Sequence, residues 1–121
     1  MRDHRKLKAF ELADDLVFAV YKATRAFPKE EIFGLTSQMR RAAVSVAANI
    51  VEGCARQTLK EYRNFLSISF GSLRELGYYI ELSGRLSYLP QQKNSDLKNL
   101  YDQTARVLAG LVKSLHTEQD S

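Results

Sequence analysis

The sequence predicts an all-α fold: an antiparallel up-down four-helix bundle, with residues 1–121 forming a single domain. Three observations carry that reading. Apolar residues recur at spacings of three and four along four separate segments, the mark of helices with a buried stripe, and no stretch alternates as a strand would. Only two Pro and six Gly occur, and both prolines fall between periodic segments, which suits long helices joined by short turns. A chain of 121 residues that is 45% hydrophobic holds enough for one core and too little for two domains. Short connections place consecutive helices antiparallel.

The first helix is expected over residues 7–27, where Leu7, Phe10, Leu16, Val17, Val20, Tyr21, Thr24 and Phe27 share a stripe before Pro28 stops the helix. The second is expected over 36–52, with Thr36 as N-cap and Gly53 in a left-handed C-terminal position. Its interior is small and apolar, from Ala42 to Val51. Its polar residues Gln38, Arg41, Ser45, Asn49 and Glu52 gather into one thin stripe, at about 100° per residue. So much apolar surface on one helix implies contacts on several sides.

The third helix is expected over 59–88, opened by a Thr58/Glu61 capping box and closed before Pro90. Leu59, Tyr62, Leu66, Ser69, Leu73, Leu76, Ile80 and Ser83 follow a coiled-coil seam spacing. A second apolar line, Phe65, Ile68, Tyr79, Leu82 and Leu86, lies about a quarter-turn away. Gly71, inside this helix, reads as a point of close packing. The fourth helix is expected over 92–115, with Leu97, Leu100, Thr104, Val107, Leu111 and Leu115 as its seam.

Several functions are disfavoured by what the chain lacks. No apolar run approaches the roughly 18–20 residues that span a membrane. The N-terminus is charged with no apolar signal core behind it, so a cytoplasmic location is expected. The single cysteine, Cys54, has no partner for an internal disulfide. Di-iron bundles need a Glu-x-x-His pair on two helices, whereas the only histidines, His4 and His116, follow Met1 and Lys113 at that spacing. No phosphate-cradling glycine loop occurs, and Cys54 has no histidine near it in sequence. No catalytic residue, metal or cofactor is expected.

Three groups remain as candidates. The net charge of +4 is concentrated in an N-terminal arm, Arg2, Arg5, Lys6 and Lys8, and in the second segment. The arm reads either as a solvated terminus or as a phosphate-contacting arm. The neighbours Arg40 and Arg41 point about 100° apart on a helix. They read as ion-pair partners of Glu52, Glu75 or another chain, or as helpers in binding a polyanion. The stripe Gln38, Arg41, Ser45, Asn49 and Glu52 reads as buried hydrogen bonding that fixes helix register or a subunit contact, with Asn49 and Glu52 at least partly buried.

The run Phe33-Gly34-Leu35-Thr36-Ser37-Gln38-Met39-Arg40-Arg41-Ala42-Ala43-Val44-Ser45-Val46-Ala47-Ala48-Asn49-Ile50-Val51-Glu52-Gly53 resembles the signature of bacterial four-helix-bundle proteins first noticed inside intervening sequences of 23S ribosomal RNA genes. The block from Phe65 to Leu76 is similar to the family's second block, and Val20-Tyr21 with Phe27-Pro28 fits its first helix. Val51 and Cys54 stand where Ala and an aromatic are frequent. The resemblance implies closed homopentamers without catalytic residues. It also implies kinship with the accessory proteins of diversity-generating retroelements, basic pentameric barrels that bind nucleic acid and a reverse transcriptase. The function expected is thus a non-enzymatic homo-oligomer that binds RNA, DNA or a nucleoprotein partner. The rival is a protein-interaction or scaffolding oligomer with no nucleic-acid role.

Overall fold

The computed structural model describes residues 2–120, with side chains for residues 2–116; residues 1 and 121 lie outside the described span. Its four helices are α1 Lys8–Thr24, α2 Leu35–Cys54, α3 Leu59–Arg85 and α4 Gln91–Asp120. Two 3-10 turns, His4–Lys6 and Lys29–Glu31, precede α1 and α2. Among the described residues there is no strand, and no helix is long and apolar enough to cross a membrane.

The helices form a square. α1 packs against α2 and α4, α2 against α3, and α3 against α4, while the backbones of the diagonal pairs stay farther apart. Facing residues fix the antiparallel sense. On the α2–α3 seam, Val46 lies beside Ser69 and Gly53 beside Tyr62. On the α3–α4 seam, Gly77 lies beside Tyr101 and Gly84 beside Asn94.

The core follows the seams read from the sequence. Leu16 and Val20 of α1, Met39, Val46 and Ile50 of α2, Leu66, Leu73 and Leu76 of α3 and Leu108 of α4 are wholly buried. Polar residues on the seams are satisfied by backbone. The hydroxyls of Ser69, Ser83 and Thr104 donate to the carbonyls of Val46, Ile80 and Leu100 at 2.7, 2.8 and 2.8 Å. These bonds remove the cost of a buried unpaired hydroxyl.

The helix ends correct several expectations. α1 stops at Thr24, earlier than Phe27, where the Thr24 hydroxyl bonds back to the Val20 carbonyl at 2.8 Å. Phe27 stays buried, its ring 5.3 Å from that of Tyr88. α2 begins at Leu35 with Gly34 as N-cap, and Thr36 is buried in its first turn instead of capping. The capping acceptor comes from upstream: Glu31 Oε1 takes the Leu35 N–H at 3.0 Å. A Cβ at position 34 would sit 2.6 Å from that oxygen and would displace the capping carboxylate.

At the other end of α2, Gly53 is helical and buried, and the helix runs on to Cys54. A Cβ on Gly53 would lie 3.0 Å from Phe65 Cβ, so this glycine serves close packing on α3 and not a left-handed cap. The left-handed position belongs to Ser87, with φ 58°, after α3 ends at Arg85 rather than at 88. Ser87 N–H bonds to Gly84 O and Tyr88 N–H to Ser83 O, both at 3.0 Å, the paired bonds of a Schellman ending. Thr58 caps α3 as expected, accepting the Glu61 N–H at 3.1 Å. The Glu61 carboxylate accepts a hydrogen bond from the Thr58 hydroxyl at 2.9 Å in place of one from a backbone N–H. α4 extends to Asp120, past the expected end at 115.

Candidate functional site

The polar stripe of α2 faces the edge of α3. The Ser45 and Ser72 hydroxyls share a hydrogen bond at 2.7 Å, and the half-buried Asn49 amide donates to the Ser45 carbonyl at 2.8 Å and to its hydroxyl at 3.0 Å. Arg41 pairs with Glu75 and donates to Gln38 Oε1 at 3.2 Å. Glu75 also accepts the Tyr79 hydroxyl at 2.6 Å, and the carboxylate pushes the Tyr79 phenol pKa up. Glu52 departs from the expectation of burial. It is exposed and pairs with Arg56 one turn on. Of the stripe's residues only Ser45 and Asn49 are therefore shielded, against Ser72 of α3. Position around the helix is legible in the sequence, but how far the neighbouring helix reaches over that position is not.

The basic residues are not brought together. The arm folds back on the end of α2. Arg2 N–H bonds to the Cys54 carbonyl at 3.2 Å, its guanidinium lies 4.0 Å from the Tyr62 ring centre, and it reaches the Arg56 carbonyl at 3.4 Å. Arg5 pairs with Asp3 at 3.0 Å, which holds the Asp3 carboxyl below its ordinary pKa, and Lys8 lies 3.6 Å from Glu11. Lys6 is exposed. Arg40, half-buried, donates to Thr24 at 2.8 Å and stacks 4.7 Å from the Tyr21 ring centre, tying α1 to α2. Cys54 and Arg40 are fourteen residues apart on one helix, about 21 Å along its axis. The arm and the Arg40–Arg41 pair thus sit at opposite ends of α2 and do not share a site.

Beneath the arm, Cys54 and Tyr62 are buried together. Burial first, and the neighbouring thiol second, push the Tyr62 pKa up to about 12, and burial also raises that of Cys54. Both groups stay neutral near pH 7 and act as packing. Among the described residues no group of three or more His, Cys, Asp or Glu side chains is placed to hold a metal ion.

One surface escapes the sequence reading. Between α3 and α4 runs a groove of about 800 Å³. Its floor exists because Gly77 and Gly84 carry no side chain. A Cβ would stand 2.5 Å from Tyr101 Cζ at the first and 2.8 Å from Asn94 Oδ1 at the second. Asn94 is anchored there by donating to the Ile80 carbonyl at 3.1 Å. Arg74, Arg85 and Lys98 rim the groove with Tyr78, and Glu81 is the one carboxylate among its lining residues. Among the described residues, no carboxylate pairs with Arg74, Arg85 or Lys98, in contrast to Arg5, Arg41 and Arg56. The signal available in the sequence is the heptad spacing of Gly77 and Gly84 on one side of α3. Gly71, expected to mark close packing, does not: a Cβ there would meet nothing within 4 Å.

Square packing, antiparallel order and short connections define an up-down four-helix bundle protein. Within that class the sequence is specific. The family model of the 23S rRNA-intervening sequence protein matches residues 5–110, and the chain belongs to that family. A solved structure of a protein of unknown function from the S23 ribosomal protein family of Bacteroides thetaiotaomicron VPI-5482 is similar in fold. Its TM-score is 0.79 at 20% identity, covering 87% of this chain and 95% of that one. No curated protein matches the chain.

Proposed function

We propose that this protein is a non-enzymatic, self-associating bundle, a homopentamer by family resemblance, whose assembled form binds nucleic acid. One observation carries the self-association. Val44 and Val51 of α2 and Ile68 of α3 are exposed on the folded chain, at 41, 36 and 46%, and Ala48 and Gly71 lie exposed among them. This apolar strip borders the Ser45–Asn49–Ser72 contact, so a second copy lying on it also shields those polar groups. Multiple copies then multiply a net charge of +4, and avidity rises with no new contact wherever basic groups share a face.

Light scattering of the purified chain tests the assembly, with a mass near five times 13.8 kDa expected. A mass of one chain at micromolar concentration removes the proposal. Fluorescence anisotropy with labelled RNA across salt concentrations tests the second half. Affinity falls steeply with salt if phosphates are neutralised, because each contact releases counterions.

The scaffolding reading has its own support. The basic groups that stand out in the sequence are largely engaged within the chain, Arg2 on Tyr62, Arg5 with Asp3 and Arg41 with Glu75. An oligomer that binds no nucleic acid at low salt satisfies that reading.

A further inference from the structure

We infer that the α3–α4 groove is the binding surface for single-stranded nucleic acid, with Arg74, Arg85 and Lys98 contacting phosphates and Tyr78 stacking on a base; this rests on the nucleic-acid half of the proposed function. Four features of the groove support it. Its three cations have no carboxylate partner among the described residues, and Glu81 alone opposes them. On the α3 wall, Arg74, Tyr78, Glu81 and Arg85 follow one another at helical spacing on one side of the helix, with Arg74 and Arg85 about 16 Å apart along the axis. Tyr78 is 57% exposed beside the cations. The glycine floor is closely packed, with Tyr101 and Asn94 seated against Gly77 and Gly84.

A basic track with an exposed aromatic ring beside it is the chemistry of sequence-tolerant single-strand binding. Phosphates follow the cations, and every base has a face to stack. A duplex keeps its base faces stacked internally and leaves Tyr78 without a partner. The groove also differs in kind from the arm. Arg2 already spends its guanidinium face on Tyr62 and Arg5 is partly neutralised by Asp3, so both meet a phosphate with part of the guanidinium already engaged.

The experiment is anisotropy with a labelled oligouridylate and with a duplex RNA of the same length, titrated at several salt concentrations. The full chain is compared with Arg74→Gln/Arg85→Gln/Lys98→Gln, Tyr78→Ala, Glu81→Gln and a chain lacking residues 2–8. The triple variant is expected to bind the single strand at least tenfold more weakly. Its salt slope should fall by about two, at about 0.7 for each phosphate that is no longer neutralised. Tyr78→Ala should weaken the single strand about tenfold and leave the duplex unchanged. Glu81→Gln should tighten binding, a gain that misfolding does not produce. All substituted side chains are exposed, and circular dichroism checks that each variant keeps its helices. Salt-dependent wild-type binding that the groove variants leave intact overturns this inference while the nucleic-acid reading stands. Absence of wild-type binding to either probe at low salt overturns both.

Discussion

At the scale of single residues, the structure separates positions that look alike in sequence. Asn49 and Glu52 share a polar stripe, yet the Asn49 amide is held at 2.8 and 3.0 Å by Ser45 while Glu52 pairs on the surface with Arg56. Asn49→Ala should therefore cost about 1 kcal/mol, the net worth of a typical hydrogen bond. Glu52→Ala should cost under about 0.5 kcal/mol, as exposed pairs one turn apart do. Urea denaturation of the two variants checks the order, and equal losses contradict it. The glycines divide in the same way. Gly110 is exposed with nothing within 4 Å of a Cβ, so Gly110→Ala should stabilise by up to about 1 kcal/mol through helix propensity. Gly77→Ala meets the Tyr101 ring at 2.5 Å and should melt below wild type, because overpacking costs about 1–3 kcal/mol against that same propensity gain. Neither division is legible in the sequence. Sequence gives the direction in which a side chain leaves its own helix, while contact is decided by the partner helix. That is why the sequence points to Gly71 for the role that Gly77 and Gly84 fill, and why nothing in it sets Tyr78 apart from the other tyrosines.

At the scale of elements, periodicity is the readable signal and capping the weaker one. All eight seam positions read on α3 are buried or half-buried, as apolar spacing at three and four demands. The ends shift by up to five residues because caps are chosen by competition among nearby groups. At the start of α2, Thr36 loses to a carboxylate supplied by the preceding turn. That carboxylate also joins two connections, since Glu31 accepts the Tyr88 hydroxyl at 2.6 Å and the Leu35 N–H at 3.0 Å. These two bonds, the tyrosine's foremost, lower the Glu31 pKa below its ordinary 4.5. A carboxyl with a lowered folded-state pKa stabilises above the unfolded value and loses that contribution as pH falls through the folded one. Glu31→Gln should thus melt below wild type at pH 7, and the gap should narrow as pH drops below 4.5. Melting curves of both proteins from neutral to acid pH measure it. A constant gap would show that the clasp does not depend on the carboxylate's charge.

At the scale of the whole molecule, the folded chain leaves surface that one bundle does not use. α2 buries Ala42, Ala43, Val46, Ala47 and Ile50 but exposes Val44, Ala48 and Val51, and Ile68 of α3 lies exposed on the adjoining face. The surplus of apolar residues on α2 and α3 is legible in the sequence; which of them the chain's own core claims is not, since that depends on the rotation of each helix within the square. Exposed apolar strips on a folded chain mark contacts with other proteins. The α3–α4 groove lies on the other side of α3 from this strip. The pair Val44→Glu and Ile68→Glu should therefore reduce the assembly to a 13.8 kDa species that keeps its helical spectrum, because neither side chain belongs to the buried core. A carboxylate buried without a partner at an interface is strongly unfavourable, which separates the copies without touching the bundle. The dissociated chain retains its groove but loses multivalency, so its affinity for a long single strand should fall by roughly 10²-fold or more. Its affinity for a strand short enough to occupy one groove should change little. Anisotropy with the two lengths on the wild type and on this double variant measures both quantities. An equal loss on both lengths would show that the assembly builds the binding surface instead of repeating it, and the nucleic-acid site would then have to span two copies.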